Sequence, residues 1–209
     1  MSRGGSSFAP NPALGWTFGA LAVTVACDGL LDGLILGSGV LLCNVLLYAA
    51  LKPVRALLSD RLALPVSVAI LAALASLYGT AIRAFAPTAA LGLGIYLPLL
   101  AVNSLGLHTI RRCAFASSIE TRKAARRLAT ILRESVGSFA VCVLVGALRE
   151  MLGAGTLTLP SLDREVLRIA IATAPPLAIF SSPAGAFMLL GAMAAIYRAV
   201  LRGSGRRLP

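Results

Sequence analysis

The chain has 209 residues, 58% of them hydrophobic and 13% charged, with a mean hydropathy of +0.87. A soluble domain holds about 45–50% apolar and roughly 25% charged residues, so a soluble globular enzyme and a disordered chain are excluded; four cysteines are too few for a disulfide scaffold. The net charge of +11, from 19 Lys and Arg against 8 Asp and Glu, follows from the basic cytoplasmic loops of membrane proteins. These charges are not interleaved with the aromatics that a nucleic-acid stacking surface needs.

What remains is an all-α, polytopic membrane protein forming a single integral membrane domain over residues 1–209. Residues 1–12 are a polar, Gly- and Ser-rich stretch with no apolar core and cleavage site behind it, and read as a short soluble tail. Six apolar stretches follow: Leu14–Leu34, Leu36–Leu51, Leu64–Phe85, Leu91–Ile110, Val136–Leu152 and Leu177–Val200. A spanning helix needs about 17–25 residues. The second and fifth are short and the first carries Asp28 and Asp32, so these three are the expected broken or re-entrant elements. Arg111–Glu134, rich in Ala and Arg without Pro or Gly, predicts an amphipathic helix on the cytoplasmic surface. Residues 201–209 form a basic tail.

Six crossings put 15 Lys and Arg on the side of the two termini and 4 on the other, which predicts cytoplasmic N- and C-termini. Leu14–Val23 matches Leu93–Val102 at an offset of 79 residues, with Leu, Gly, Leu, Ala and Val identical. Each copy opens a three-segment half. The second half is then inverted in the membrane, an architecture that places ion or substrate sites near the repeat interface on discontinuous helices.

Few residues carry chemistry. His108 is the one histidine, and there is no phosphate loop or metal-ligand spacing. Cys27, Cys43, Cys113 and Cys142 are far apart in sequence and read as small buried apolar residues. Asp28 and Asp32 share a helix face. They line a cation path, or they lie in an interfacial turn beside Gly29 and Gly33. Arg149 and Glu150 end an apolar run as a pair whose charges cancel the cost of burial, and the glycines behind them stop the helix. Pro175, Pro176 and Pro183 pre-set the start of the sixth segment.

Several blocks in this order resemble the small six-helix membrane subunits of the Rnf and NADH:quinone (Nqr) electron-transport complexes, nearest to the E-type Rnf and D-type Nqr subunits. They are Asn11-Pro12-Ala13-Leu14; Leu93 to Leu99 with Pro98 and Asn103; Ala114-Phe115-Ala116; Gly146-Ala147-Leu148-Arg149-Glu150 with Gly153-Ala154-Gly155-Thr156-Leu157; and Pro183-Ala184-Gly185-Ala186-Phe187. The resemblance implies a subunit of an ion-translocating oxidoreductase of the ferredoxin or NADH type, without a catalytic site of its own. It implies an A-type membrane partner packed as an inverted pair, flavin-carrying partner subunits, and a [2Fe-2S] cluster shared with the A-type subunit through cysteines of the half-helices. The family's cluster positions fall here on Phe18 or Leu21, and on Ser104. Phe and Leu cannot ligate iron and Ser is a poor substitute. Cys27 and Cys113 lie six to nine residues downstream as alternative ligands. A stand-alone inverted-repeat transporter or channel built on Asp28 and Asp32 is the alternative reading.

Overall fold

The computed structural model describes residues 25–54, 59–102, 106, 107, 109, 110, 121–159, 167–170 and 178–203. Helix α1 spans Leu30–Val54, α2 Asp60–Phe85, α3 Pro87–Leu93 and α4 Tyr96–Leu99, the last running into a 3-10 turn at Leu100–Val102. After the undescribed residues 111–120 comes α5, Thr121–Arg149, which continues into a π-helical turn at Glu150–Ala154. Strands β1 (Thr156–Leu159) and β2 (Leu167–Ala170) form an antiparallel ribbon, with Thr156 opposite Ala170. A 3-10 turn at Ala178–Ser181 leads into α6, Pro183–Gly203.

Among the described residues three helical stretches are long and apolar enough to cross a membrane: Leu30–Val54, Arg61–Phe85 and Arg127–Ala154. Many of their large apolar side chains face outward, among them Leu42, Leu46, Leu62, Leu77 and Leu144. In water such a surface is a liability; in lipid it is the favoured one.

The structure moves the breaks away from where the sequence put them. The second and fifth segments, expected to be broken, are continuous helices of 25 and 29 residues. The first segment's expected end belongs to the second: the chain is non-helical at Ala26–Gly29, and Asp32 lies in the first turn of α1. The fourth segment, expected as one crossing, is the fragmented one. It turns at Gly94, whose φ of +40° a side chain rarely tolerates, and restarts at Tyr96. The basic stretch expected as a separate surface helix is helical from Thr121 and runs straight into the fifth span.

Among the described elements, helices α1 and α5 make the most extensive contact. Gly29, Gly33 and Gly37 recur at four-residue intervals, so they stack on one helix face. A Cβ placed on Gly33 would lie 2.6 Å from the Cys142 carbonyl oxygen, and one on Gly37 would lie 3.3 Å from Cys142 Cβ. One on Gly146 would run into the Gly29 carbonyl. Rising residue numbers on α1 thus meet falling numbers on α5, so the helices are antiparallel with backbones nearly touching. In lipid there is no hydrophobic drive between helices, and such stripes of small residues let dispersion contacts supply it. On the other flank of α1, Tyr78 Oη of α2 donates to the Ile35 carbonyl at 2.6 Å. Thr109 Oγ1 donates to Asn44 Oδ1 at 3.3 Å, tying the fragmented fourth segment to the centre of α1.

Candidate functional site

The antiparallel pairing brings the start of α1 against the end of α5, and the chemistry-bearing residues collect there. The Gly29 carbonyl accepts the first helical bond, from Gly33 N–H at 3.0 Å, so Gly29 is the N-cap. It has no side-chain oxygen to satisfy the free amides of the first turn. Glu150 supplies one from across the interface: Leu30 N–H donates to its Oε2 at 2.9 Å. The missing side chain is what admits it, since a Cβ on Gly29 would lie 3.2 Å from that oxygen. A carboxylate at a helix N-terminus also meets the positive end of the macrodipole, as does Asp32 within the first turn.

The Glu150 carboxylate is itself fixed by its other oxygen, which accepts from Thr158 Oγ1. This bond depends on the turn that follows α5. Gly155 adopts a left-handed φ of +68°, which ends the π-helical turn and folds β1 back so that Thr158 returns to Glu150.

Arg149 makes the other half of the site. Its residue surface is 1% exposed. Nε donates to the Phe180 carbonyl at 3.0 Å. Nη1 donates to the carbonyls of Val25 and Cys27, both at 2.9 Å. Nη2 donates to those of Ser181 and Ser182, both at 3.2 Å. A guanidinium has five N–H donors and no acceptor, and each of its nitrogens is used. Nη1 also pairs with Asp28 Oδ1 at 2.8 Å. The Asp28 side chain is 70% exposed, so this pair sits at the rim while the carbonyl bonds lie inside. The turn before α6 reaches Arg149 because two glycines let it approach. A Cβ on Gly153 would lie 2.9 Å from the Ser181 amide nitrogen, and one on Gly185 2.6 Å from the Ile179 carbonyl oxygen. Pro183 opens α6 directly behind the accepting carbonyls.

The expected Arg149–Glu150 pair is therefore replaced by two separate sets of partners. Adjacent residues on a helix point about 100° apart and do not face each other. The guanidinium reaches the link before α1 and the turn before α6, while the carboxylate reaches the α1 N-terminus. The site joins Cys27, Asp28, Asp32, Arg149, Glu150, Gly153, Gly155, Pro183 and Gly185. Pro98 lies in α4, apart from it. Phe18, Leu21, Asn103, Ser104, His108 and Cys113 lie outside the described residues. Sequence reasoning missed Thr158, the N-cap role of Gly29, the carbonyl acceptors and Cys142. The Thr-Leu-Thr-Leu alternation was a strand signal, and Asp-Gly before an apolar run was a helix-start signal; backbone acceptors leave none.

Of the three carboxylates in this region, Asp28 pairs with the Arg149 guanidinium at the exposed rim, Glu150 caps α1, and Asp32 lies in the first turn of that helix. Among the described residues no three His, Cys, Asp or Glu side chains converge to hold a metal ion. Cys27 and Cys142 are both fully buried. The described donors therefore do not fit a [2Fe-2S] cluster shared with a second subunit.

Glu150→Gln is expected to destabilise the folded chain by about 1–2 kcal/mol, because a charge-assisted cap becomes a neutral one. Thr158→Val costs about 1 kcal/mol. The two effects are coupled, and a double-mutant cycle on denaturant unfolding in detergent will show it; strict additivity would mean that the two side chains do not interact.

The Rnf-Nqr family model, whose members are described as Rnf-Nqr subunit membrane proteins, matches residues 7–194. The E subunit of the Na(+)-translocating ferredoxin:NAD(+) oxidoreductase complex of Acetobacterium woodii is 25% identical over 181 residues, which cover 87% of this chain and 86% of the relative. The E subunit of the ion-translocating oxidoreductase complex of Sodalis glossinidius is 31% identical over 189 residues, 88% of this chain and 79% of the relative. Its counterpart in Pseudomonas paraeruginosa is 30% identical over 195 residues, 89% of this chain and 78% of the relative. With the helical membrane architecture and the Arg149–Glu150 junction in place, this chain belongs to the Rnf-Nqr family of membrane subunits.

Proposed function

We propose that the chain is the E-type membrane subunit of an ion-translocating oxidoreductase complex, lying in the bacterial inner membrane with both termini cytoplasmic. The observation that carries this reading is the family match over residues 7–194, joined to relatives that are each named as the E subunit of such a complex. The antiparallel packing of α1 on α5 supports two inverted halves, since each helix is the second segment of its half. The chain's part is a scaffold. It brings no nucleophile and base together among the described residues, and it spends its charged groups on fastening chain segments. The A-type subunit is its membrane neighbour, and flavin-carrying subunits complete the assembly. Asp28, exposed at the rim, and Asp32 one turn into α1 supply the negative potential beside a cation path.

A mild-detergent pull-down from native membranes tests the reading, with the co-purifying proteins identified by mass spectrometry. Recovery of an A-type membrane subunit and flavoproteins is the expected result. Recovery of the chain alone would overturn it in favour of a stand-alone transporter. Neutralising Asp28 and Asp32 should then abolish cation uptake by liposomes holding only this protein.

A further inference from the structure

The α1–α5 seam changes character beyond its glycines. Gly29 meets Gly146, Gly33 meets Cys142, and Gly37 meets Phe139 and Cys142. The same antiparallel register, carried one and two turns further, brings Val40 and Asn44 of α1 to the level of Ser138 and Ser135 of α5. All four are buried, the two serines at 0% exposure. Cys142, Ser138 and Ser135 recur at helical spacing on the face of α5 that packs on α1. A serine or threonine inside a helix commonly turns its hydroxyl back to a carbonyl one turn earlier. Ser67 does so to Ala63, Thr80 to Ser76 and Ser38 to Ile35. The hydroxyls of Ser135 and Ser138 take no partner, on their own helix or on another. On the α1 side, Asn44 Nδ2 donates to the Val40 carbonyl at 2.9 Å, which commits the amide nitrogen to its own helix. Asn44 Oδ1 is left to the other segments, and it accepts from Thr109 Oγ1 at 3.3 Å.

We propose that Asn44 Oδ1, Thr109 Oγ1 and the Oγ atoms of Ser135 and Ser138 form an interior site for a dehydrated sodium ion. Three segments contribute: α1, the fragmented fourth segment and α5. The donors are oxygens alone, which suits a hard cation. Neutral oxygens of this kind replace a hydration shell and still let the ion leave. None of the four is a carboxylate, so the set favours a single charge over a divalent ion. Glu134, buried one turn before Ser138 on α5, carries the balancing carboxylate on the flank of the seam. The two serines lie two to three turns inside the span that begins at Arg127, a depth at which polar side chains mark ion paths. The inference rests on the proposed function for its role: the site is an interior station of the cation path, toward the opposite end of α1 from Asp28.

The test measures the binding of radioactive sodium to the full chain, purified in mild detergent with whatever subunits accompany it. Saturable binding is expected, competed by lithium and not by choline, and sodium in place of choline should raise the unfolding midpoint of the wild-type chain. Ser135→Ala combined with Ser138→Ala should weaken binding about tenfold or more and remove the sodium-dependent rise. Alanine favours the helix and removes only the two hydroxyls, so the double variant should unfold in choline no earlier than the wild type. Thr109→Val should weaken binding in the same direction. Ser67→Ala, whose hydroxyl is spent on its own helix, should bind as the wild type does. A wild-type chain without saturable sodium binding overturns the site. So does a double variant that binds as the wild type does, which would mean that the two hydroxyls hold water. Recovery of the intact complex with serine-independent binding sinks this inference alone. Serine-dependent binding in a chain recovered without partners sinks the assembly reading alone.

Discussion

Replacing Arg149 with methionine is expected to cost about 3–5 kcal/mol of stability, the loss seen when one side of a buried charged network is removed. Much of a domain's margin, about 5–15 kcal/mol, goes with it. The residue is 1% exposed, and methionine fills the volume of its stem without supplying a donor. The carbonyls of Val25, Cys27, Phe180, Ser181 and Ser182 then lose the guanidinium that holds them together. Arg149→Lys should recover about half of the loss, because an ammonium carries the charge but has three donors on one atom in place of a planar fork. Asp28→Asn separates the two components. Its side chain is 70% exposed, and exposed ion pairs contribute about 0–1 kcal/mol. Thermal or denaturant unfolding of the three variants in one detergent will rank them. If Asp28→Asn proves as damaging as Arg149→Met, the ion pair dominates and the carbonyl cluster is incidental.

The second large effect belongs to the α1–α5 seam. Gly33→Val is expected to destabilise by about 3 kcal/mol, at the upper end of the usual cost of overpacking. The added Cβ would lie 2.6 Å from the Cys142 carbonyl oxygen and 3.1 Å from Val143 Cα. Those are backbone atoms, so no side chain can rotate away and the helices must separate. Gly146→Ala should act alike, through the Gly29 backbone on the opposite helix, whose carbonyl carbon the new Cβ would approach to 3.0 Å. Gly191 provides the contrast. A Cβ there meets nothing within 4 Å, and alanine in that helix should stabilise the isolated chain by about 0.5–1 kcal/mol through propensity alone. Unfolding curves for the three variants decide the matter. Equal effects at Gly33 and Gly191 would show that helix propensity, and not close approach, governs both positions.

Composition made the fold class legible, because a chain this apolar and basic has few places to fold. The span at Leu64–Phe85 was legible within a few residues of α2. The breaks were harder. Hydropathy runs smoothly through Leu30–Leu36, so the stretch containing Asp32 was joined to the segment before it. The local signal, Asp28-Gly29 ahead of an apolar run, marks the helix start and was not read as one. Segment lengths misled too: the basic residues at 122–133 were read as a separate surface helix, whereas they continue without a break into α5, at its cytoplasmic end in the proposed topology. The Arg149–Glu150 block was legible as a site, and its partners were not. Its acceptors are main-chain carbonyls more than 30 and more than 120 residues away, which carry no side-chain identity for a sequence to display.

The chain segments that meet at Arg149 are also made at different times. A nascent chain emerges N-terminus first, so the carbonyls of Val25 and Cys27 are in place before the arginine exists, and those of Phe180, Ser181 and Ser182 follow after the ribbon. Helix α5 therefore enters the bilayer with its terminal guanidinium only partly satisfied, and must keep that end near water until the last segment is delivered. Translation that halts between Leu159 and Ala178 leaves an insertion intermediate with an open arginine at the membrane edge.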